Sequence, residues 1–219
     1  MNIYIDIETL PTIDPAIIAE IHDTIKAPGN YKKSETIAEW MATEGEKAKS
    51  DAVAKTSFDG LYGRICCVCF AIDDGPIEAC ATNNEFQLLT ELFGLLQESA
   101  HDQATYVGHN LVGFDLPFLK HRSIIHGIKP PISLAKAMIA KAWSDGVADT
   151  MLMWSPDRDK RVSMDKLCRA LGIPGKGDFD GSMVAATWPT DPQKVIDYCM
   201  GDIDRTRAIY KRLIWENAA

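Results

Sequence analysis

Five residues in three short motifs have the types and spacing for one shared chemistry. Asp6 and Glu8 follow the apolar run Asn2-Ile3-Tyr4-Ile5. Asp115 closes His109-Asn110-Leu111-Val112-Gly113-Phe114-Asp115, and Tyr198 and Asp202 bound Tyr198-Cys199-Met200-Gly201-Asp202 near the C-terminus. Carboxylates brought this close repel by roughly 4 kcal/mol per pair at ~4 Å and an effective dielectric near 20. Hard divalent cations such as Mg²⁺ or Mn²⁺ relieve that repulsion, because they prefer oxygen ligands. Two such ions side by side activate a water and stabilise the leaving oxygen of a phosphodiester. Taken singly, each motif has an ordinary explanation. D-x-E occurs at strand ends, N-x-x-x-F-D suits an Asx turn before a helix acid, and Y-x-x-x-D suits a core tyrosine beside a solvated aspartate. In order and together, they argue for one metal site.

The site requires particular elements. Residues i and i+2 at a strand end point to the same side, so Asn2 to Glu8 must be a strand for Asp6 and Glu8 to face one cleft. Tyr198 and Asp202, i and i+4, share a face only on a helix, which the pattern from Gln193 to about Trp215 supplies after Asp191-Pro192. Asp115 belongs where the strand Ala104 to His109 gives way to a helix starting near Phe114 and stopped by Gly127. Elsewhere the pattern predicts helical periodicity through Ile17, Ile18 and Ile21. Gly63 to Ile72 reads as a strand that turns at Asp73-Asp74-Gly75-Pro76 into a hairpin partner, Ile77 to Thr82. Asn84 is placed to cap a helix with Phe86, Leu88, Leu89, Leu92, Phe93 and Leu96 on its apolar face. A helix-prone run to Trp143, a segment Val147 to Met153, and a short helix capped by Ser163 and closed by Gly172 complete the pattern. Lys26 to Asp59 is polar and partly helical, with Thr36-Ile37-Ala38-Glu39 as a capping box. It reads as an insertion or lid, about 26–59, in one α/β domain spanning 1–219 with a mixed sheet flanked by helices.

Composition bounds the partners. At 46% hydrophobic and 25% charged, the chain is an ordinary soluble composition. No apolar run approaches the ~20 residues of a membrane span, and no signal-peptide pattern opens the chain, so a cytoplasmic location is expected. The net charge of −8 disfavours a long bound duplex. Between Arg158 and Lys176, however, Arg158, Lys160, Arg161, Lys166, Arg169 and Lys176 outnumber Asp159 and Asp165 by four charges. That run either tracks a substrate backbone or is a solvated face. The six cysteines, three of them in Cys66-Cys67-Val68-Cys69, lack paired C-x-x-C zinc spacing and read as small core hydrophobes, with no disulfides expected.

The three motifs resemble those of the DEDD (DnaQ-like) 3′–5′ exonuclease superfamily in its tyrosine-bearing DEDDy branch, which includes the proofreading domains of family A and B DNA polymerases. The chain is most similar to the stand-alone, polymerase-B-type exonucleases. Gly63-Arg64-Ile65, Asp149-Thr150, and the helix from Met164 to Leu171 followed by Gly172-Ile173-Pro174 extend the resemblance over nearly the whole chain. It implies an RNase H-like fold and two Mg²⁺ or Mn²⁺ ions. Asp6 would bridge both ions, Glu8 and Asp202 would complete one shell, and Asp115 would hold the second ion. Tyr198 would orient the attacking water, and Thr9, Leu10, Asn110 and Phe114 would line the pocket for the terminal nucleotide.

Two other features invite a reading. Gly172-Ile173-Pro174-Gly175-Lys176-Gly177 lacks the spacing and context of a phosphate loop, although Lys176 could touch a substrate phosphate. His109 suits a general base or pocket contact and a structural hydrogen bond about equally. The expected activity is metal-dependent 3′–5′ hydrolysis of single-stranded DNA to 5′-mononucleotides. RNA trimming is the runner-up, and a catalytically weak nucleic-acid- or partner-binding module is the alternative from another class. A replication or repair protein acting in trans is the partner that a proofreading role would need.

Overall fold

Alternating and apolar runs become five strands: β1 (Asn2–Leu10), β2 (Arg64–Ile72), β3 (Ile77–Ala81), β4 (Thr105–Gly108) and β5 (Val147–Asp149). Their order is β3-β2-β1-β4-β5. The β2–β3 hairpin is antiparallel, whereas β1–β4 and β4–β5 are parallel. The computed structural model describes residues 1–99, 103–141, 144–156 and 160–216; Trp143, Arg158 and Asp159 lie outside the described residues.

Two compact units share the chain, one built from residues 10–64 and one from residues 1–9 with 65–219. The first unit holds α1 (Pro15–Thr24), α2 (Ser34–Thr43) and α3 (Gly45–Ala54). Asp14 caps α1 by accepting from the Ala16 N–H at 2.8 Å. The expected capping box in α2 is absent. The helix begins three residues earlier, with Lys33 at the cap, and Thr36 instead donates its hydroxyl back to the Lys33 carbonyl. A threonine in the first turn satisfies itself this way when the preceding residue already has helical geometry.

The second unit holds α4 (Glu85–Ser99), α5 (Asp115–His126), α6 (Ile132–Ala137), α7 (Thr150–Trp154), α8 (Met164–Leu171), α9 (Val184–Thr187) and α10 (Pro192–Leu213). Ile3, Ile5 and Ile7 of β1 are buried with Leu88, Leu89, Leu92 and Leu96 of α4 and Leu116 and Leu119 of α5. Each such side chain contributes roughly 2 kcal/mol on leaving water. The alternate residues of β1 therefore face the other way. Tyr4 packs edge-on to Tyr210 of α10 with ring centroids 6.0 Å apart, so Asp6 and Glu8 lie on the α10 side of the sheet.

The caps at Asn84, Gly127, Gly172 and Asp191 fall where expected. Asn84 accepts from the Gln87 N–H, and Asp191 from the Lys194 N–H. Gly127 and Gly172 take left-handed φ of 65° and 69°, which a side chain would strain. Ser163 is the cap residue of α8 but makes no side-chain cap bond. Phe86 departs from expectation. It is 53% exposed, standing in the first turn of α4 beside His126 at 6.2 Å, while the buried stripe starts at Leu88. Similarly, α10 ends at Leu213, and Trp215 takes a φ of 61° instead of continuing the helix.

One polar network in this core is invisible to periodicity. The buried Glu85 carboxylate accepts from the Ile65 N–H at 2.6 Å, from Arg122 Nε and Nη2, and from His126 Nε2 at 2.7 Å. It ties the start of β2 to α4 and α5. Removing the guanidinium strands a buried charge, so Arg122→Met should cost about 3 kcal/mol and lower Tm by roughly 6–12 °C in a thermal melt.

Candidate metal centre

The site assembles from three separate chain segments. On β1, the i, i+2 pair Asp6 and Glu8 faces α10, and their carboxylate oxygens and the Cys199 Sγ lie within 4.8 Å of one another. Asp115 opens α5 after a tightly held loop. Asn110 there takes a left-handed φ of 64°. A Cβ on Gly113 would come within 2.4 Å of the Asn110 side-chain oxygen, which would have to move aside for any larger residue. Asp149 clamps the loop: its buried carboxylate accepts from the Asn110 and Val112 N–H groups, each at 3.0 Å, and also caps α7 through the Met151 N–H. Asp115 Oδ1 in turn accepts from the Ile7 N–H at 3.2 Å. That bond seats the third carboxylate against the strand residue between the first two.

The last helix completes the set. Tyr198 and Asp202 share one face of α10, and Lys176 Nζ bridges them, donating to the Tyr198 hydroxyl at 2.8 Å and to Asp202 Oδ2. Arg205 donates to Asp202 Oδ1 at 2.8 Å and to the Gly175 carbonyl at 3.0 Å, so it holds both the carboxylate and the loop that carries Lys176. Asp165 of α8 accepts from the Lys176 N–H, and a Cβ on Gly175 would come within 2.6 Å of that same carboxylate. The Tyr198 ring packs edge-on against Phe179, centroids 5.0 Å apart.

Electrostatics show what the arrangement lacks. Burial, then the Asp202 charge, pushes the Asp6 carboxyl up to about 8. Burial and then the Asp6 charge hold Glu8 and Asp115 well above the usual carboxylate range. The Tyr198 phenol is likewise raised, by burial and then by Asp202. Among the described residues, Lys176 and Arg205 pair with Asp202, whereas Asp6, Glu8 and Asp115 have no ion-pair partner. Such buried charges are costly unless matched. An all-oxygen donor set with a local deficit of positive charge fits hard divalent ions.

The remaining sequence candidates divide. Asn110 and Phe114 stand half-buried in the loop before Asp115, with the Phe114 ring 5.6 Å from that of Phe118. Thr9 follows Glu8 and is half-buried, while Leu10 begins the other unit. His109 has both ring nitrogens engaged, with Thr150 Oγ1 at 2.9 Å and the Val162 carbonyl at 3.1 Å. Burial lowers its pKa, so it acts as a neutral structural link between the end of β4, the start of α7 and the approach to α8. Sequence reasoning gave no role to Arg205 or Cys199 and no mechanism to Asp149. Arg205 had a local signal, since it stands one turn after Asp202. Cys199 had none, because its partners lie on β1 and β2, far away in the chain.

No curated protein matches the chain. Among solved structures, it is similar to the family B DNA polymerase from the hyperthermophilic archaeon Pyrobaculum calidifontis, with a TM-score of 0.60 and 15% identity over 97% of this chain. The match takes in 24% of the polymerase, so this chain spans about a quarter of that protein's length. The likeness is one of fold, and the mixed sheet with its helices is RNase H-like. By sequence, residues 64–218 match the model of a family described as predicted 3′–5′ exonucleases related to the exonuclease domain of PolB, and the chain belongs to that family.

Proposed function

We propose that the protein is a metal-dependent 3′–5′ exonuclease that shortens single-stranded DNA from its 3′ end and releases 5′-mononucleotides. The observation that carries this reading is the convergence of Asp6, Glu8, Asp115 and Asp202, three of them without a cation partner among the described residues, beside a tyrosine hydroxyl. Asp6, Glu8 and Asp202 would hold one divalent ion, and Asp6 with Asp115 a second. When bound, such ions lower the pKa of a water and neutralise charge developing on the phosphate. The protein's own part is positioning. The Tyr198 hydroxyl, fixed by its ring contact with Phe179 and its bond to Lys176, orients the attacking water through a hydrogen bond. Lys176 offers an ammonium to the phosphate, and Thr9, Asn110 and Phe114 flank the terminal nucleotide. Asp149 and Arg205 touch no substrate; they hold the loops that carry Asp115 and Lys176.

The test is a time course on 5′-labelled single-stranded DNA and RNA with Mg²⁺, Mn²⁺ or EDTA. A ladder shortening from the 3′ end, lost in EDTA and faster on DNA, supports the reading. Faster cutting of RNA transfers it to RNA, and intact or internally cut substrates overturn it. Tyr198→Phe keeps the ring and removes the hydroxyl. It should lower kcat about 10²-fold with KM nearly unchanged, measured in the same assay at saturating metal.

A further inference from the structure

We infer that Cys67, Cys69 and Cys199 form a binding site for one thiophilic divalent cation of the zinc and cadmium class, set directly beneath the oxygen-donor centre. Cys67 and Cys69 are i and i+2 on β2, so both thiols leave the same face of the sheet. Cys199 descends onto that face from α10. The three Sγ atoms lie within 4.8 Å of one another, and those of Cys67 and Cys69 are 3.8 Å apart. Tetrahedral zinc with Zn–S near 2.3 Å sets its sulfurs about 3.8 Å apart, so one edge of the polyhedron is already in place. A fourth donor is at hand: the Cys199 thiol donates to Asp6 Oδ2 at 3.4 Å, and zinc accepts carboxylate oxygen as a ligand.

Ordinary core packing explains the burial of these residues, each 0% exposed, but not the convergence of their polar ends. Thiols serving only as small hydrophobes have no need to point at one another. The C-x-C spacing gave no zinc pattern because the third sulfur arrives from a helix 130 residues later in the chain. On binding, three S–H bonds give three metal–sulfur bonds, and the protons pass to buffer. The soft thiolates select against Mg²⁺ and Mn²⁺. Because Asp6 would be shared, loading this site should also inhibit the exonuclease; that consequence alone rests on the function proposed above.

The experiment is a cadmium chloride titration of the reduced protein in excess Mg²⁺, following sulfur-to-cadmium charge-transfer absorbance in the ultraviolet. Wild type should saturate at one equivalent. Cys69→Ala should weaken binding at least tenfold while keeping a native circular-dichroism spectrum. Cys168→Ala, which removes a thiol packed with Met164, Leu167 and Ile209 instead, should bind as wild type does. Absence of a saturating band in wild type overturns the site, as does a Cys69→Ala or Cys67→Ala protein that binds cadmium as tightly as wild type. The absorbance reads the thiols directly, so an inactive exonuclease would count against the function and not against the site.

Discussion

Asp6→Asn should lower kcat on single-stranded DNA by on the order of 10³-fold or more and, in the same protein, raise Tm in EDTA at pH 8. The two effects have one cause. Asp6 interacts with every other acidic member of the site: its charge raises Glu8 and Asp115, and Asp202 raises Asp6 itself. It is therefore the carboxylate that links the others, and its charge is costly to hold there without cations. Asparagine keeps the shape and can still accept the Cys199 thiol, so packing is preserved while the charge is removed. Relief of repulsion and desolvation should raise Tm by several degrees, as expected where a strained functional group limits stability. Steady-state rates at saturating Mn²⁺ and a melt in EDTA give both numbers. An active Asp6→Asn enzyme would remove Asp6 from the centre. An inactive one with a lowered Tm would mean that the substitution broke the fold instead.

The centre was legible because its members obey short periods. The strand period of two aligned Asp6 with Glu8, and the helical spacing of four aligned Tyr198 with Asp202. What joins the segments was not legible. The bond from the Ile7 N–H to Asp115 spans 108 residues, and the Asp149 clamp on Asn110 and Val112 links positions nearly 40 residues apart. Lys176 was half-read: its loop was rightly refused as a phosphate loop, but its place on Tyr198 and Asp202 follows from Arg205 and Asp165 holding residues 175–176. The core was read well where apolar stripes are long, as in α4, and less well at the ends of elements. Phe86, in the first turn of α4, and Trp215, past the end of α10, both stay exposed. The thiol triad shows the same limit, since no sequence window contains both β2 and α10.

Metal removal should make the protein's stability fall with pH, and metal addition should cancel the fall. In EDTA the folded Asp6 carboxyl keeps its proton up to about pH 8, whereas an ordinary aspartyl group loses it near 3.8. A folded pKa raised in this way contributes stability that is complete below the ordinary value and is lost as pH rises through the folded value. Glu8 and Asp115 are shifted in the same direction. His109 has the opposite sign: its lowered pKa favours the folded state as pH rises, but that gain is spent by about pH 6.5. Lys176 is raised and stays charged throughout. Cys67, held down to about 5 by its bonds to Cys199 and then Cys69, has the opposite sign across the window from pH 6.5 to 8, so the carboxylates are isolated by making the comparison in a Cys67→Ala background. One proton retained only by the folded state is worth about 1.4 kcal/mol per pH unit, so the loss over the window is about 1–2 kcal/mol, or roughly 2–8 °C in Tm. Divalent ions held by these carboxylates would take the place of that proton and would compete with Lys176 for Asp202. At a hundredfold excess over Kd they should restore about 2.7 kcal/mol, roughly 5–10 °C, with the gap between metal and EDTA widening toward pH 8. Melts at matched ionic strength with Mn²⁺ or EDTA measure this directly, and Asp6→Asn should flatten the EDTA slope. A Tm in EDTA that holds level or climbs from pH 6.5 to 8 would show that these carboxylates are not held protonated, and the case for a cation-seeking centre would lose its physical basis.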